Sequence, residues 1–267
     1  MARYIFRTLF RFLDNGTYIP VSKDFGIRRY VFPKHADLQK KLCESLKNIS
    51  KTVYENDLPA FPFLHGDHTS LSNRIVCLIY ERKDKKQQPI GLHLPFVTKG
   101  CGEDIIHAGL ILVDKAHQGK RVVEISGINF MLFLVLHGSH FVFTSLSSKS
   151  FNLRLMEKYS RDTYPTWRNP DLKPTMWHVD IAKFMLANHR QDLSNGDTSF
   201  LDENTLVVRG YSKSDGSKHF VQNISRSRNP ALRKFMEDRL NVSNGDAQFT
   251  VGRVLPVTKY ILRTIFM

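Results

Sequence analysis

The residues most able to do chemistry lie between His107 and Tyr159. At the centre is the turn Ala116-His117-Gln118-Gly119-Lys120-Arg121-Val122-Val123. It follows the apolar run Ile105–Val113 and opens a second apolar run, so it reads as a strand-to-helix junction. Successive backbone N–H groups at such a junction form an anion cradle, and the helix dipole adds to it. Gly119 lets the main chain approach an anion closely. Lys120 and Arg121 add charge for peripheral phosphates. Neither GxxxxGK[ST] nor GxGxxG is present, so the turn is not a Walker A loop or a Rossmann fingerprint. The proton-transfer candidates nearby are Glu103 and His107 at the start of the strand, His93 on the preceding one, and Tyr159. An imidazole suits a proton acceptor at neutral pH.

The elements that must position these groups follow from periodicity. Leu38, Leu42, Leu46, Ile49 and Val53 recur at helical spacing within His35–Tyr54, after Pro33. Arg74–Tyr80 and Pro89–Val97 read as two strands joined through the basic run RKDKKQQ, hence a hairpin. Ile105–Val113 is a third strand, Val122–His137 a largely apolar helix, His140–Ser145 a short strand and Phe151–Tyr159 a helix. Pro165, Pro170 and Pro174 punctuate a linker-like stretch. Met176–Asn188 and Asn229–Leu240 then read as helices, and Ser199–Tyr211 and Gln248–Val257 as strands. The expected class is α/β in the layered α+β sense. Residues 1–165 would form the first domain and 166–267 a C-terminal α+β extension packed on it.

Within Tyr30–Tyr159 the chain resembles the GCN5-related N-acetyltransferase (GNAT) superfamily. AGLILVDKAHQGKRV resembles that family's fourth strand and its acyl-CoA pyrophosphate loop. The family wording [Q/R]xxGx[G/A] would place small residues where Arg121 and Val123 stand. SSKSFNLRLMEKY resembles its NxxAxxLY segment, with Asn152 at the Asn, Leu155 at the Ala and Tyr159 at the Tyr. A shifted alignment puts Met156 in the tyrosine's place. The order of helix, hairpin, strand, helix, strand and helix is also similar. The resemblance implies a mixed, mainly antiparallel central sheet flanked by helices. It implies that acetyl-CoA or another acyl-CoA is the donor and an amine the acceptor, by direct attack on the thioester. Leu112 and Val113 would bind the pantetheine arm. Gln118, Gly119, Lys120, Arg121, Val122 and Val123 would hold the pyrophosphate, with Asn152 nearby. Tyr159 would protonate the leaving thiolate, and His107 or Glu103 would serve as base.

Composition sets the wider bounds. The 267 residues are 42% apolar and 11% aromatic, enough for a sizeable core. Lys and Arg number 39 against 25 Asp and Glu, a net charge of +14 that favours anionic partners. No nucleic-acid motif accompanies the charge. Three widely spaced cysteines, Cys43, Cys77 and Cys101, point to free thiols in a cytoplasmic protein. GxSxG is absent, which argues against the nucleophile elbow of a serine hydrolase. His65-Gly66-Asp67-His68 is a compact cluster, but no HExxH-type partner accompanies it, and no metal is expected. The segments Tyr4–Phe10 and Tyr260–Phe266 echo each other, and either would suit the surface of an anionic membrane. Ser194-Asn195-Gly196-Asp197 is echoed by Ser243-Asn244-Gly245-Asp246, two tight-turn signals. Two readings stay open beside acetyl transfer. One is a degenerate GNAT-like binding protein, associated with a membrane or nucleic acid. The other is an enzyme that takes a longer acyl chain.

Overall fold

The computed structural model describes residues 15–54, 61–83, 88–118, 122, 127, 133, 140–193, 199–211 and 229–255. The chain divides into two compact units. The first comprises 1–58, 62–97 and 109–139; the second comprises 59–61, 98–108 and 140–267.

In the first unit, β1 (Asn15–Pro20) pairs antiparallel with β2 (Phe25–Val31), and β2 with β3 (Ile75–Glu81). β3 pairs antiparallel with β4 (Pro89–Gly100), giving the hairpin expected from sequence. β5 (Glu103–Val113) is next in order. Both β4 and β5 continue from one unit into the other. Cys101 and Gly102 join them with φ of 52° and 73°, the left-handed pair that a two-residue hairpin turn requires. From Ile75 to Tyr80 β3 is an unbroken apolar run, buried on both faces. Phe25, Ile27, Cys77, Ile79, Ile90, Val113 and Val122 pack into one cluster. Helix α1 (Ala36–Tyr54) buries Leu42, Leu46 and Ile49, the stripe that its spacing predicts.

Gly109 carries a local device on β5. Its φ is +65°, and a Cβ there would stand 1.7 Å from the Leu94 carbonyl oxygen on β4. Only glycine permits that backbone and that approach.

In the second unit β5 pairs in parallel with β6 (Val142–Ser147), over Ile105–His107 against Val142–Thr144. The order continues through β10 (Ala247–Val254) and β9 (Val207–Arg209) to β8 (Phe200–Asp202), and β7 (Ser160–Tyr164) also pairs with β10. These further pairings are antiparallel. The sheet is therefore mixed and mainly antiparallel, as expected. Helices α2 (Ser150–Tyr159), α3 (Met176–Asn188) and α4 (Pro230–Arg239) accompany it. Asn229 caps α4 by accepting from the amides of Ala231 and Leu232, with Pro230 at the first helical position. β10, from beyond the proline-rich stretch, lies beside β6, from before it.

The strands β1 and β2 have no counterpart in the sequence expectation, and two elements of the second unit also differ from it. The expected single strand Ser199–Tyr211 is two short strands, β8 and β9. Asp202 forces the break: its carboxylate accepts from the Asn204 amide and the Thr205 hydroxyl, and Leu206 turns the chain at φ 51°. The polar strand β7 has no apolar alternation to announce it. No described helix is long and apolar enough to cross a membrane. The terminal echoes Tyr4–Phe10 and Tyr260–Phe266 lie outside the described residues.

Candidate functional site

The first unit holds the strand end and the turn. Leu112 and Val113 are buried. Asp114 then caps a 3-10 turn, Lys115–His117, its carboxylate accepting from the Ala116 amide at 3.0 Å. Gln118 closes the turn by donating its side-chain amide to the Val113 carbonyl at 3.2 Å. His117 lies between two carboxylates, 3.6 Å from Asp114 and 3.8 Å from Glu81. The local field of the turn is thus less positive than its lysines and arginine suggest. Val122 is helical and its side chain is core, 3.3 Å from where a Gly91 Cβ would stand. A role at a phosphate would fall to its backbone. Gly127 and Phe133 are also helical, which agrees with a helix after the turn. Gly119, Lys120, Arg121 and Val123 lie outside the described residues.

The second unit holds the proton-transfer candidates. His107 sits directly opposite Thr144 in the parallel pairing. Its Nδ1 is 2.9 Å from the Thr144 hydroxyl, and its ring lies 6.4 Å from that of Phe249. It is only 4% exposed, so a proton leaving it needs a relay partner such as that hydroxyl. Glu103 is already committed: its Oε1 accepts from the Trp177 indole and pairs with Arg253, each at 3.2 Å. The Arg253 guanidinium lies 4.1 Å from the centre of the Trp177 ring. His93, in the first unit, is buried on β4.

Asn152 is in the first turn of α2 and Tyr159 ends that helix, both half-buried. The Tyr159 carbonyl accepts from the Leu255 amide at 2.9 Å. The Lys158 ammonium lies 5.3 Å from the centre of the Tyr159 ring. Lys149 stands at the cap of α2, and burial pushes its ammonium below the usual lysine range. Of these neighbours, Thr144, Trp177, Arg253 and Lys149 carry no motif. The first three meet their partners only through sheet pairing or helix docking, and no sequence signal points to them.

Other groups singled out from sequence have structural duties. Asp67, in the histidine cluster, caps a 3-10 turn and accepts from the Thr69 amide and hydroxyl. Cys43 and Cys77 are buried free thiols, pushed up to about 11 and about 12 by burial, and Cys101 is exposed. Asp246, in the second Asn-Gly-Asp turn, is fully buried and gathers a donor from each of four residues. The first such turn, Ser194–Asp197, is outside the described residues.

No protein-family model matches the chain, and no curated protein does. Among solved structures it is similar to a GCN5-related glucosamine N-acetyltransferase region of a fungal multi-domain GH3 β-N-acetylglucosaminidase. That likeness has a TM-score of 0.35 and 11% identity, and covers 47% of this chain and 14% of that one. A second similar structure is the NatC complex bound to a Gag peptide and CoA, at TM-score 0.31 and 15% identity, covering 49% of this chain and 81% of the other. The first is an N-acetyltransferase region by description, and both are too distant to assign an activity to this chain.

Proposed function

We propose that the chain is an N-acyltransferase of GNAT type, which takes the acyl group of acetyl-CoA or a longer acyl-CoA to an amine by direct attack. The observation that carries the reading is the parallel pairing of β5 with β6 amid antiparallel neighbours. A parallel pair needs a crossover, and here the crossover contains the basic turn and the helical residues that follow it. Lys115 to Gln118 follow the carboxyl end of β5 and Val122 is helical, an order that supports phosphate binding by backbone amides. The pairing covers three residues, and β5 runs six further, from Ala108 to Val113. In this reading Leu112 and Val113 offer main-chain groups to the pantetheine arm. Gln118 to Val123 take the pyrophosphate, with Asn152 contributing from α2. The amine attacks the thioester carbonyl, its proton passes to His107 or Glu103, and Tyr159 protonates the departing thiolate. The burial of His107 beside Thr144 favours a relayed proton over direct contact.

Thermal melting with free CoA, acetyl-CoA and a long-chain acyl-CoA tests the donor. A ligand that binds only the folded state at 100 times its Kd adds about 2.7 kcal/mol of stability. Gly119→Asp combined with Arg121→Glu places negative charge in the turn and should abolish the shift while leaving the unliganded melt in place. An equal shift in that variant removes the turn from the site. No shift with any CoA species overturns the acyltransferase reading and leaves a binding protein as the better description.

A further inference from the structure

Thr98, His189 and Asp192 form a hydroxyl–imidazole–carboxylate relay within the second unit. The Thr98 Oγ1 lies 3.0 Å from Nε2 of His189, and Nδ1 of His189 lies 3.1 Å from an oxygen of Asp192. Local structure explains the alignment. His189 is the C-cap of α3, its amide donating to the Met185 carbonyl. The Leu193 amide in turn donates to the His189 carbonyl, and this extra turn brings Asp192 alongside the ring. Thr98 comes from β4, 91 residues earlier. Phe184, also on α3, packs on Gly100 of the same strand, where any Cβ would meet the phenyl ring at 2.2 Å. That contact sets the distance between strand and helix end. The Phe184 ring also lies edge-on to His189, 5.8 Å between centres.

The tautomer follows from chemistry. An ionised carboxylate only accepts, so Nδ1 carries the hydrogen. In the neutral ring Nε2 is then an acceptor, and the Thr98 hydroxyl donates to it. A hydroxyl polarised by an imidazole, itself oriented by a carboxylate, is the arrangement that activates an alcohol nucleophile. The carboxyl end of α3 and the Asp192 carboxylate both lie beside the ring that receives the proton. The side chains of His189 and Asp192 are 15% and 22% exposed, so the relay is shielded without being sealed.

We propose that Thr98 is a second acyl-acceptor site, which forms a covalent ester with an activated acyl thioester or ester. The Thr98 oxygen bonds to the carbonyl carbon while its proton moves to Nε2 of His189. The carbon–sulfur or carbon–oxygen bond to the leaving group breaks, and His189 returns the proton to the leaving thiolate or alkoxide. Water, deprotonated by His189, then attacks the ester, releasing the carboxylic acid and restoring Thr98. The site does not depend on the CoA-binding reading, because a simple aryl ester needs no nucleotide pocket.

The test incubates the full chain with p-nitrophenyl acetate, follows the release of p-nitrophenolate, and locates the adduct by peptide mass spectrometry. The expected result is a burst approaching one equivalent, with the mass of one acetyl group on the peptide containing Thr98. Thr98→Val should abolish adduct and burst, while Thr98→Ser should retain both. Asp192→Asn should slow acylation by a factor on the order of 10²–10⁴. Should Thr98→Val fail to fold, adduct mapping in the unaltered chain decides the matter. An adduct only on lysines or cysteines, or an equal burst in Thr98→Val, overturns the proposal.

Discussion

Asp246→Asn is the substitution whose consequence the structure specifies most fully. The Asp246 carboxylate is completely buried. One oxygen accepts from the Arg209 guanidinium at 2.6 Å and the Asn241 amide at 3.1 Å. The other accepts from the Gly210 amide at 3.1 Å and the Asn244 side chain at 3.2 Å. An asparagine keeps one oxygen and turns an NH2 toward the other pair, so in either orientation two donors face a donor. Breaking a buried ion pair costs about 3–5 kcal/mol. Arg209 keeps Asp202 at 3.4 Å and the Arg239 carbonyl at 3.2 Å, so the lower end applies, about 3 kcal/mol. In a chain of this size that lowers Tm by about 6–12 °C.

The effect carries a pH signature. Burial alone would raise the Asp246 pKa, but Arg209 and the Gly210 and Asn241 amides outweigh it and hold the carboxyl below its usual range. Asp202 is depressed in the same way, burial being outweighed by Thr205, Asn204 and Arg209. A depressed carboxyl stabilises fully above its unfolded value, near about 3.9, and that stability is lost as pH falls through the folded value. Urea unfolding at neutral pH and at successively lower pH should therefore show a gap between wild type and Asp246→Asn that closes below about pH 4. A gap under about 0.5 kcal/mol at neutral pH, the scatter of an ordinary surface change, refutes the assigned role. So does a gap that persists unchanged into acid.

Two further predictions follow from local geometry. Gly109→Ala imposes left-handed backbone on a residue with a Cβ and drives that atom into the Leu94 carbonyl. We expect a loss of about 2–3 kcal/mol from the strained φ and a broken strand contact, read by thermal or urea melting; a neutral outcome would refute the close approach. His178 accepts the Thr175 amide on Nδ1 at 3.1 Å and donates through Nε2 to the Asp162 carbonyl at 2.8 Å, so the ring must be neutral. Burial lowers its pKa despite the Asp162 carbonyl and carboxylate. That contribution is present above the unfolded value near about 6.5 and is lost as pH falls below it. His178→Gln should flatten the stability profile between neutral pH and about pH 5, and an unchanged slope there would argue against it.

Helix boundaries were largely legible in the chain. Met176–Asn188 matches its expected bounds, and Pro230–Arg239 lies within one residue of its own, because capping and 3.6-residue periodicity are local signals. The β3–β4 hairpin was legible for the same reason, as two apolar runs about a charged turn. β7 was not, since Ser-Arg-Asp-Thr-Tyr owes its extension to pairing with β10, nearly ninety residues downstream. The candidate site divides in the same way. Strand, basic turn and helix-opening asparagine are readable as a linear pattern. The ion pair of Glu103 with Arg253, 150 residues away, is not.

By itself the sequence determined the principal helices, the apolar strands and where their apolar faces lie. Only the tertiary structure decided which polar groups meet. It committed Glu103 to Trp177 and Arg253, buried His107 against Thr144, and set Thr98 on His189. The physical reason is range. Periodicity and capping act over four or five residues, whereas these contacts depend on strand order, register and helix docking, which the whole chain sets together.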